Sequence, residues 1–387
     1  SIEKLKITKK YNNPQEIPNK FSLEKEIIET FESDVPLAIL LSGGIDSVYL
    51  ANLTRKINNN QRIEAYTIEN ETGSNKYDVK SAKEIAEKLG LKHNLIKISK
   101  KDLEQNMKAF IKTMEYPTDD GFNIFLATKY ISKDSFKVCL TGLGGDEFFG
   151  GYSSFRTFNL KTILKYNSFL KNFNFIKNIL LRKGLGGYLQ KNRLTISSID
   201  GFLRNKAFIF DQNNQKDVNN VLKISEKRLK KFLRIRGYHN LSSFCKISLL
   251  ELFGYCIPQL VKDSDLFGMK NSVEVRPCFL LKSLISNLYQ NNSFFKLKKN
   301  DLRMSLDRDL RSSLVKRKDG FTIDLREYIL NNSEKIIQTI ENSNFLKYIK
   351  IPINNFKINT KKNKKINNRL LYMIWRGYIL AEWEKDI

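Results

Sequence analysis

Residues 37–50 read LAILLSGGIDSVYL. An apolar run bounded by glycines suits a buried parallel strand, and the IDSVYLANLTRKI that follows carries apolar residues at helical spacing. Ser42, Gly43 and Gly44 therefore fall in a strand-to-helix turn. Such a turn aims backbone N–H groups at one point, and the helix behind it adds about half a positive charge at its N-terminus. That is a cradle for phosphate. A Walker loop needs a Lys after its last glycine, whereas here Asp46 follows. An acid beside a phosphate is tolerable only when a metal ion bridges them, so the loop points to Mg²⁺ together with phosphate. The competing reading is a tight turn in an ordinary α/β domain.

Outward from this stretch the pattern alternates. Strand LAILL leads to a helix over 45–57, then come strand RIEAYTI, helix YDVKSAKEIAEKLG ending in Gly90, strand HNLIKI, helices from 101 to about 132, and strand FKVCLT. Strand–helix alternation predicts an α/β fold with a doubly wound parallel sheet and right-handed crossovers. Ligands in such sheets bind beyond the carboxyl ends of the strands, at the switch point. Residues 1–20 are polar, contain Pro14 and Pro18, and read as a linker into the helix SLEKEIIETF. The α/β core then spans 21–152. After 152 the strand signal fades, and segments such as NLKTILKYNSFLKNF and ISLLELFGYCIPQLV give a mainly helical remainder, 153–387, of the same domain.

A second glycine loop follows strand FKVCLT: GLGGDEFFGGY, residues 142–152. Again glycines crowd the end of a strand and acids follow, here Asp146 and Glu147. Two such loops, each carrying a carboxylate, would clamp one Mg²⁺–polyphosphate between Asp46 and Asp146. Glu147 reads equally as a working acid or as a helix cap.

Composition narrows the class. The chain has 387 residues, 41% hydrophobic and 11% aromatic, enough for one large domain or two ordinary ones. No apolar run approaches the roughly 18 residues needed to span a bilayer, and no secretory signal is evident, so the expectation is a soluble, cytoplasmic protein. Cys139, Cys245, Cys256 and Cys278 form no C-x-x-C pair, and His93 and His239 lie far apart; neither a disulfide framework nor a zinc site is expected. The formal charge is +26, with 19 Lys and Arg against 4 acids between 153 and 240 and a second cluster at KINTKKNKKINNR. Nucleic acid is the first partner such a charge suggests. Lys and Asn abound throughout, however, so a solvated basic surface is favoured, and attraction of ATP is a by-product.

At these motifs the chain resembles the asparagine synthetases. SDVPLAILLSGGIDS is similar to their pyrophosphatase-loop signature, and TGLGGDEFFGGY to their second one, usually S/T-G-E-G-A/S-D-E-x-F-G-G-Y. LVKDSDLFGMKNSVEVR at 260–276, VKRKDGF at 315–321 and the helical end MIWRGYILAEW follow in family order. The resemblance implies an adenine nucleotide alpha-hydrolase-like fold. It also implies an enzyme that adenylates a carboxylic acid with ATP, releases pyrophosphate, and lets ammonia attack the acyl-adenylate to give an amide and AMP. On that resemblance Ser42, Gly43, Gly44, Asp46 and Ser47 hold pyrophosphate and metal, and Asp146 is the second metal carboxylate. The backbones of Leu41, Ile68 and Gly142, with Thr141 beside them, line the adenine and ribose. Lys318 stabilises the transferring phosphorus, and Glu147 and Arg276 join it as catalytic groups. Segments 260–281 and 315–321 return to the active site, and Asp263, Asp265, Glu274 and Arg276 close the acyl site. Tyr77, Asp78 and His93 cap and pack the second strand–helix unit.

Two departures concern the acid. The glutamate between the glycines of the second signature is Leu143 here, and the pattern EVRVPFLD appears as EVRPCFLL, with Pro277 shifted and Leu281 replacing an aspartate. Both changes fall near the acyl and amine pockets. The acid is thus aspartate or a relative such as a sugar acid or small peptide. Glutamine-dependent members begin with a glutaminase domain whose N-terminal Cys is the nucleophile; this chain starts at Ser1, so a glutaminase upstream or in trans, or free ammonia, is implied. A tRNA-modifying enzyme sharing the loop and a non-catalytic scaffold are the other readings.

Overall fold

A computed structural model describes residues 22–57, 61–152, 155, 227, 241–290, 299–315, 323–348, 351–361, 366, 368–385 and 387. The expected linker over 1–20, nearly all of the basic stretch 153–240, and Lys318 lie outside them.

The first half runs α1 (Leu23–Glu29), β1 (Leu37–Leu40), α2 (Ile45–Leu53), β2 (Ile63–Asn70), α3 (Lys76–Leu89), β3 (Lys92–Ile98), α4 (Lys100–Thr113), α5 (Gly121–Lys133), β4 (Val138–Thr141) and α6 (Gly145–Phe149). Local chemistry explains the boundaries. Thr54–Lys56 tightens the end of the predicted 45–57 helix into a 3₁₀ turn. Gly90, at φ +67°, ends α3 in the left-handed region. Ser99 and Asp102 form a reciprocal capping box at the start of α4.

The strands form one parallel sheet in the order β3-β2-β1-β4-β5. Chain order reverses between β1 and β4, so the two glycine loops emerge side by side at the switch point. Every residue of β1 and β4 is buried. Along β1 the side chains alternate between two cores: Ala38 and Leu40 enter one, Leu37, Ile39 and Leu41 the other. This double burial is why the strands read as unbroken apolar runs.

The fifth strand, β5 (Glu274–Pro277), pairs with β4 in the register Leu140↔Arg276. Its EVRP sequence carries two charges and a proline, as an edge strand does, and gives no apolar signal. Before it, α7 (Ser243–Glu251), a π-helical segment Leu252–Val261 and α8 (Lys262–Lys270) are continuous. Phe244–Lys270 is long and apolar enough to cross a membrane by length and composition. The sequence expectation was that no apolar run approaches that length; the helix reaches it by continuing through polar residues such as Lys246, Glu251 and Gln259. Leu252, Cys256 and Phe267 of this helix are buried in the fold and Asp263 bonds across to Thr118. Pro258 sits within the π segment, where its missing N–H removes one rung of the helical ladder.

The remaining described elements are helical: α9 (Lys282–Gln290), α10 (Lys299–Met304), α11 (Arg308–Ser313), α12 (Arg326–Asn331), α13 (Ser333–Asn342), a 3₁₀ turn (Phe345–Tyr348), α14 (Ile353–Lys361) and α15 (Asn368–Glu384). Trp375, from the Trp-containing end of the chain, is buried in α15 and donates its indole N–H to the Asp119 carbonyl at 3.2 Å.

Candidate active site

The first loop turns on Gly43, at φ +70°. A Cβ there would lie 2.6 Å from Ser81 Oγ, so close packing and backbone conformation both demand glycine. Gly44 then starts α2 with no side chain capping the helix. Ser47 Oγ donates to the Gly44 carbonyl at 2.9 Å and accepts from the Ser42 N–H at 3.2 Å, which folds the loop onto the first turn of α2. The second loop is built on the same plan, with Gly144 at φ +94° starting α6 and Gly150 at φ +75° ending it.

The two loops touch. A Cβ on Gly142 would stand 3.0 Å from Asp46 Cβ, and one on Gly145 would stand 2.5 Å from Asp46 Oδ1. These glycines make room for the Asp46 carboxylate under the neighbouring strand end. Asp46 and Asp146 then converge on a single cation, the ammonium of Lys299 at the start of α10. Its Nζ contacts Asp46 Oδ1 and lies 2.8 Å from Asp146 Oδ1. Burial opposes the charge on Lys299, but the carboxylates of Asp46 and Asp146 outweigh it and hold the lysine pKa above its ordinary value. Sequence reasoning missed this residue: nothing but spatial position separates it from the other Lys and Arg, 67 in all.

Above this pair lies a cavity of about 350 Å³, lined by Ser42, Asp46, Ser47, Thr141, Gly142, Asp146 and Glu147 from the predicted set. A volume of that order accommodates a small-molecule ligand. Leu143 is also in its wall, so the departure from the family acid puts an apolar side chain there. The far wall is acidic. Asp120 accepts from Tyr255 Oη at 2.6 Å; Asp263 accepts from Tyr116 Oη at 2.8 Å and Thr118 Oγ1 at 2.7 Å; Glu147 accepts from Tyr152 Oη at 2.7 Å. Burial raises the pKa of all three, that of Asp120 to about 6 with the adjacent Asp119 adding to the effect.

Other predicted residues take supporting places. Leu41 lies under the loop with both backbone groups engaged, its N–H to the Tyr66 carbonyl at 2.9 Å and its carbonyl to Thr67 Oγ1 at 2.6 Å. Because the Thr67 hydroxyl donates there, it accepts from Nε2–H of His93 at 2.8 Å, which fixes the histidine tautomer. The Ile68 carbonyl accepts from Asn75 Nδ2 at 2.7 Å while its side chain enters the core. Asp78 is buried near the start of α3, and Tyr77 is exposed. Arg276, expected at the chemistry, is not brought to the cavity. It forks onto Glu274 at 2.9 and 3.0 Å and donates to the carbonyls of Thr30 and Glu32, because its place on β5 points it towards the end of α1. Glu274 is held there with it, and Asp265 does not line the cavity.

Lys318 lies outside the described residues; Val315 and Ile323, on either side of it, lie within them. Val315 donates its N–H to the Gly43 carbonyl at 3.4 Å, and Ile323 donates to Asn123 Oδ1, in the cavity wall, at 2.9 Å. Val315, the first residue of VKRKDGF, is thus tied to the first glycine loop, and Ile323, just beyond its end, to the cavity wall.

The asparagine synthase family model matches residues 22–344. Asparagine synthetase [glutamine-hydrolyzing] 1 of Bacillus subtilis is 24% identical over 365 residues, which are 89% of this chain and 56% of that protein. Asparagine synthetase B of Escherichia coli is 30% identical over 147 residues, 35% of this chain and 26% of that protein. Amidase chry2 of Gibberella zeae is 29% identical over 143 residues, 33% of this chain and 21% of that protein. The chain therefore spans about half the length of the first of these relatives and less of the others. With a model match that covers both glycine loops, the cavity and α10, the chain belongs to the asparagine synthase family.

Proposed function

We propose that the chain carries the synthetase step of an ATP-dependent amide ligase: a carboxylic acid, aspartate or a related acid, is adenylated and then amidated by ammonia. One observation carries the reading. Carboxylates from two different strand ends, Asp46 and Asp146, meet around one cation at the foot of a cavity rimmed by two glycine turns. The donor set suits a hard divalent ion, since two carboxylates already share a cation position and neighbouring phosphate oxygens would complete an all-oxygen shell. Bound there, Mg²⁺ would offset the charge of the departing pyrophosphate.

The residues divide the work. The Gly43–Gly44 turn and the uncapped start of α2 would offer the phosphates N–H groups and a helix dipole, the Ser42 N–H being engaged by Ser47 Oγ. A carboxylate oxygen of the acid attacks the α-phosphorus; the acyl–phosphate bond forms as the bond to pyrophosphate breaks. Ammonia then attacks the acyl carbon and AMP leaves. The chain needs no nucleophile of its own for either step, only alignment, charge compensation and exclusion of water. Thr141 and Gly142 flank the nucleotide, and Lys318, whose flanking segments are tied to Gly43 and Asn123, supplies positive charge to the transferring phosphorus. In the helical region, Leu260, Asp263 and Ser264 bring the end of the π-helical segment and the start of α8 to the cleft. The acidic wall of Asp120, Glu147 and Asp263 receives the acid and its amine-bearing end, with ammonia delivered by a glutaminase half upstream or in trans. Leu143 in the wall favours an acid with an apolar contact at that point.

ATP–pyrophosphate exchange with Mg²⁺ and a panel of carboxylic acids, beginning with aspartate, tests the proposal. Exchange that depends on one acid is expected, and Asp146→Asn should abolish it in protein that circular dichroism shows to be folded. Full turnover in that variant would remove the metal pair from the mechanism.

A further inference from the structure

Lys299 does more than pair with acids on a surface. Its side chain is 22% exposed, and it reaches between two carboxylates that belong to separate loops, Asp46 being 7% and Asp146 33% exposed. Helix α10, which it opens, rests against α2, the helix that carries Asp46. Three charges thus share one small space, and the ammonium lies where both carboxylates point. A divalent cation bound to the same two oxygens needs the position the ammonium holds, and like charge keeps the two from sharing it.

We infer that Lys299 is a stand-in for the metal: in the nucleotide-free protein its ammonium holds Asp46 and Asp146 together, and it leaves them when metal and ATP enter. The inference rests on the proposed metal pair. Metal arriving alone has to evict a lysine that then has no partner. Metal arriving with ATP brings phosphate oxygens to which the lysine can transfer, since the Ser42–Gly44 turn lies beside Asp46. The structure therefore couples the two ligands, and free metal binds weakly by design of the site. The ion pair also keeps the carboxylates from repelling each other in the empty cleft, so the cavity is pre-formed.

The test reads metal binding rather than turnover. Free Mn²⁺ is titrated by electron paramagnetic resonance into the full chain without nucleotide, for the wild type, Lys299→Met and Lys299→Gln. The wild type should bind Mn²⁺ weakly, and both variants at least tenfold more tightly. Adding Asp46→Asn to Lys299→Met should erase the gain, which locates it at the pair. In thermal melts the variants should unfold at lower temperature than the wild type without metal and recover on adding Mn²⁺, whereas Mn²⁺ alone leaves the wild type unmoved. A non-hydrolysable ATP analogue should restore tight Mn²⁺ binding to the wild type. If the analogue does so but neither variant gains affinity for free Mn²⁺, Lys299 is no competitor and the inference fails while the metal pair stands. If the wild type takes up no Mn²⁺ even with the analogue, the metal pair itself is wrong and the inference falls with it. The glutamine variant keeps a hydrogen-bond donor in place of the charge, which preserves the test should the methionine variant fold poorly.

Discussion

At the scale of the residue, the site depends on side chains that are missing as much as on those present. Gly43 combines a left-handed φ of +70° with a Cβ position 2.6 Å from Ser81 Oγ. Ser81 is in turn bonded to the Ser313 carbonyl, so it cannot retreat without loosening α11. Gly43→Ala should cost about 1–3 kcal/mol, the usual range for a residue forced into that backbone region, with some further loss from the contact. The midpoint of urea unfolding measures it; an unchanged midpoint would show that the turn has an alternative conformation open to alanine. Asp120 makes the opposite kind of demand, a charge held where water is scarce. Burial, then Asp119, raises its pKa from 3.8 to about 6, so the folded chain holds the proton more tightly than the unfolded one. The stability this proton contributes is complete below pH 3.8 and lost as pH rises through about 6. Asp120→Asn keeps an acceptor for Tyr255 Oη and removes the titration, so its unfolding free energy should fall less than that of the wild type between pH 4 and pH 6.5. Parallel slopes for the two proteins would assign the titration elsewhere.

At the scale of the element, Arg276 separates a motif match from a working position. Within VEVR the family pattern suggested a catalytic arginine, but β5 sets the side chain against α1. There it binds Glu274 in a fork and donates at 3.0 and 2.7 Å to the Thr30 and Glu32 carbonyls. Hydrogen bonds to charged groups contribute about 1.5–3 kcal/mol each when buried and less when part-exposed, as here. Arg276→Ala should therefore lower stability by about 1–3 kcal/mol and leave the rate of ATP–pyrophosphate exchange per folded molecule unchanged. A large fall in that rate at constant stability would return Arg276 to the chemistry. The same strand shows where sequence reading stops. β1 and β4 were legible because burial on both faces gives them apolar runs, β2 and β3 because RIEAYTI and HNLIKI alternate with helical segments, and the glycine loops because a phosphate cradle needs bare backbone. β5 is an edge strand of four residues with two charges, so nothing in its own composition marks it. ISLLELFGYCIPQLV read as a helix despite Gly254 and Pro258, but its full length did not, because Lys262, Asp263 and Asp265 interrupt the apolar run where α8 continues it. Lys299 had no local signature at all: its role exists only once α10 is laid against α2.

At the scale of the whole molecule, the question is where the nitrogen comes from. Two of the relatives are named for hydrolysing glutamine, and that reaction by a thiol route requires an accessible cysteine with a depressed pKa. The chain has four cysteines, and all four are buried. Burial pushes the Cys278 thiol up to about 11 and raises those of Cys139, Cys245 and Cys256 as well, the last with the Glu147 carboxylate adding to the effect. None lines the cavity. Each is therefore a small apolar filler of the core rather than a nucleophile. The purified chain should form amide with ammonium chloride and none with glutamine as sole nitrogen donor. Iodoacetamide applied to the native protein at neutral pH should leave the ammonium-dependent rate intact, because no thiolate is presented to it, while the unfolded chain should take up four equivalents. Amide formation from glutamine alone, abolished by iodoacetamide, would mean that one of these thiols becomes exposed and ionised in the working enzyme. Glutamine use that appears only when a separate glutaminase is added would instead locate nitrogen release outside this chain.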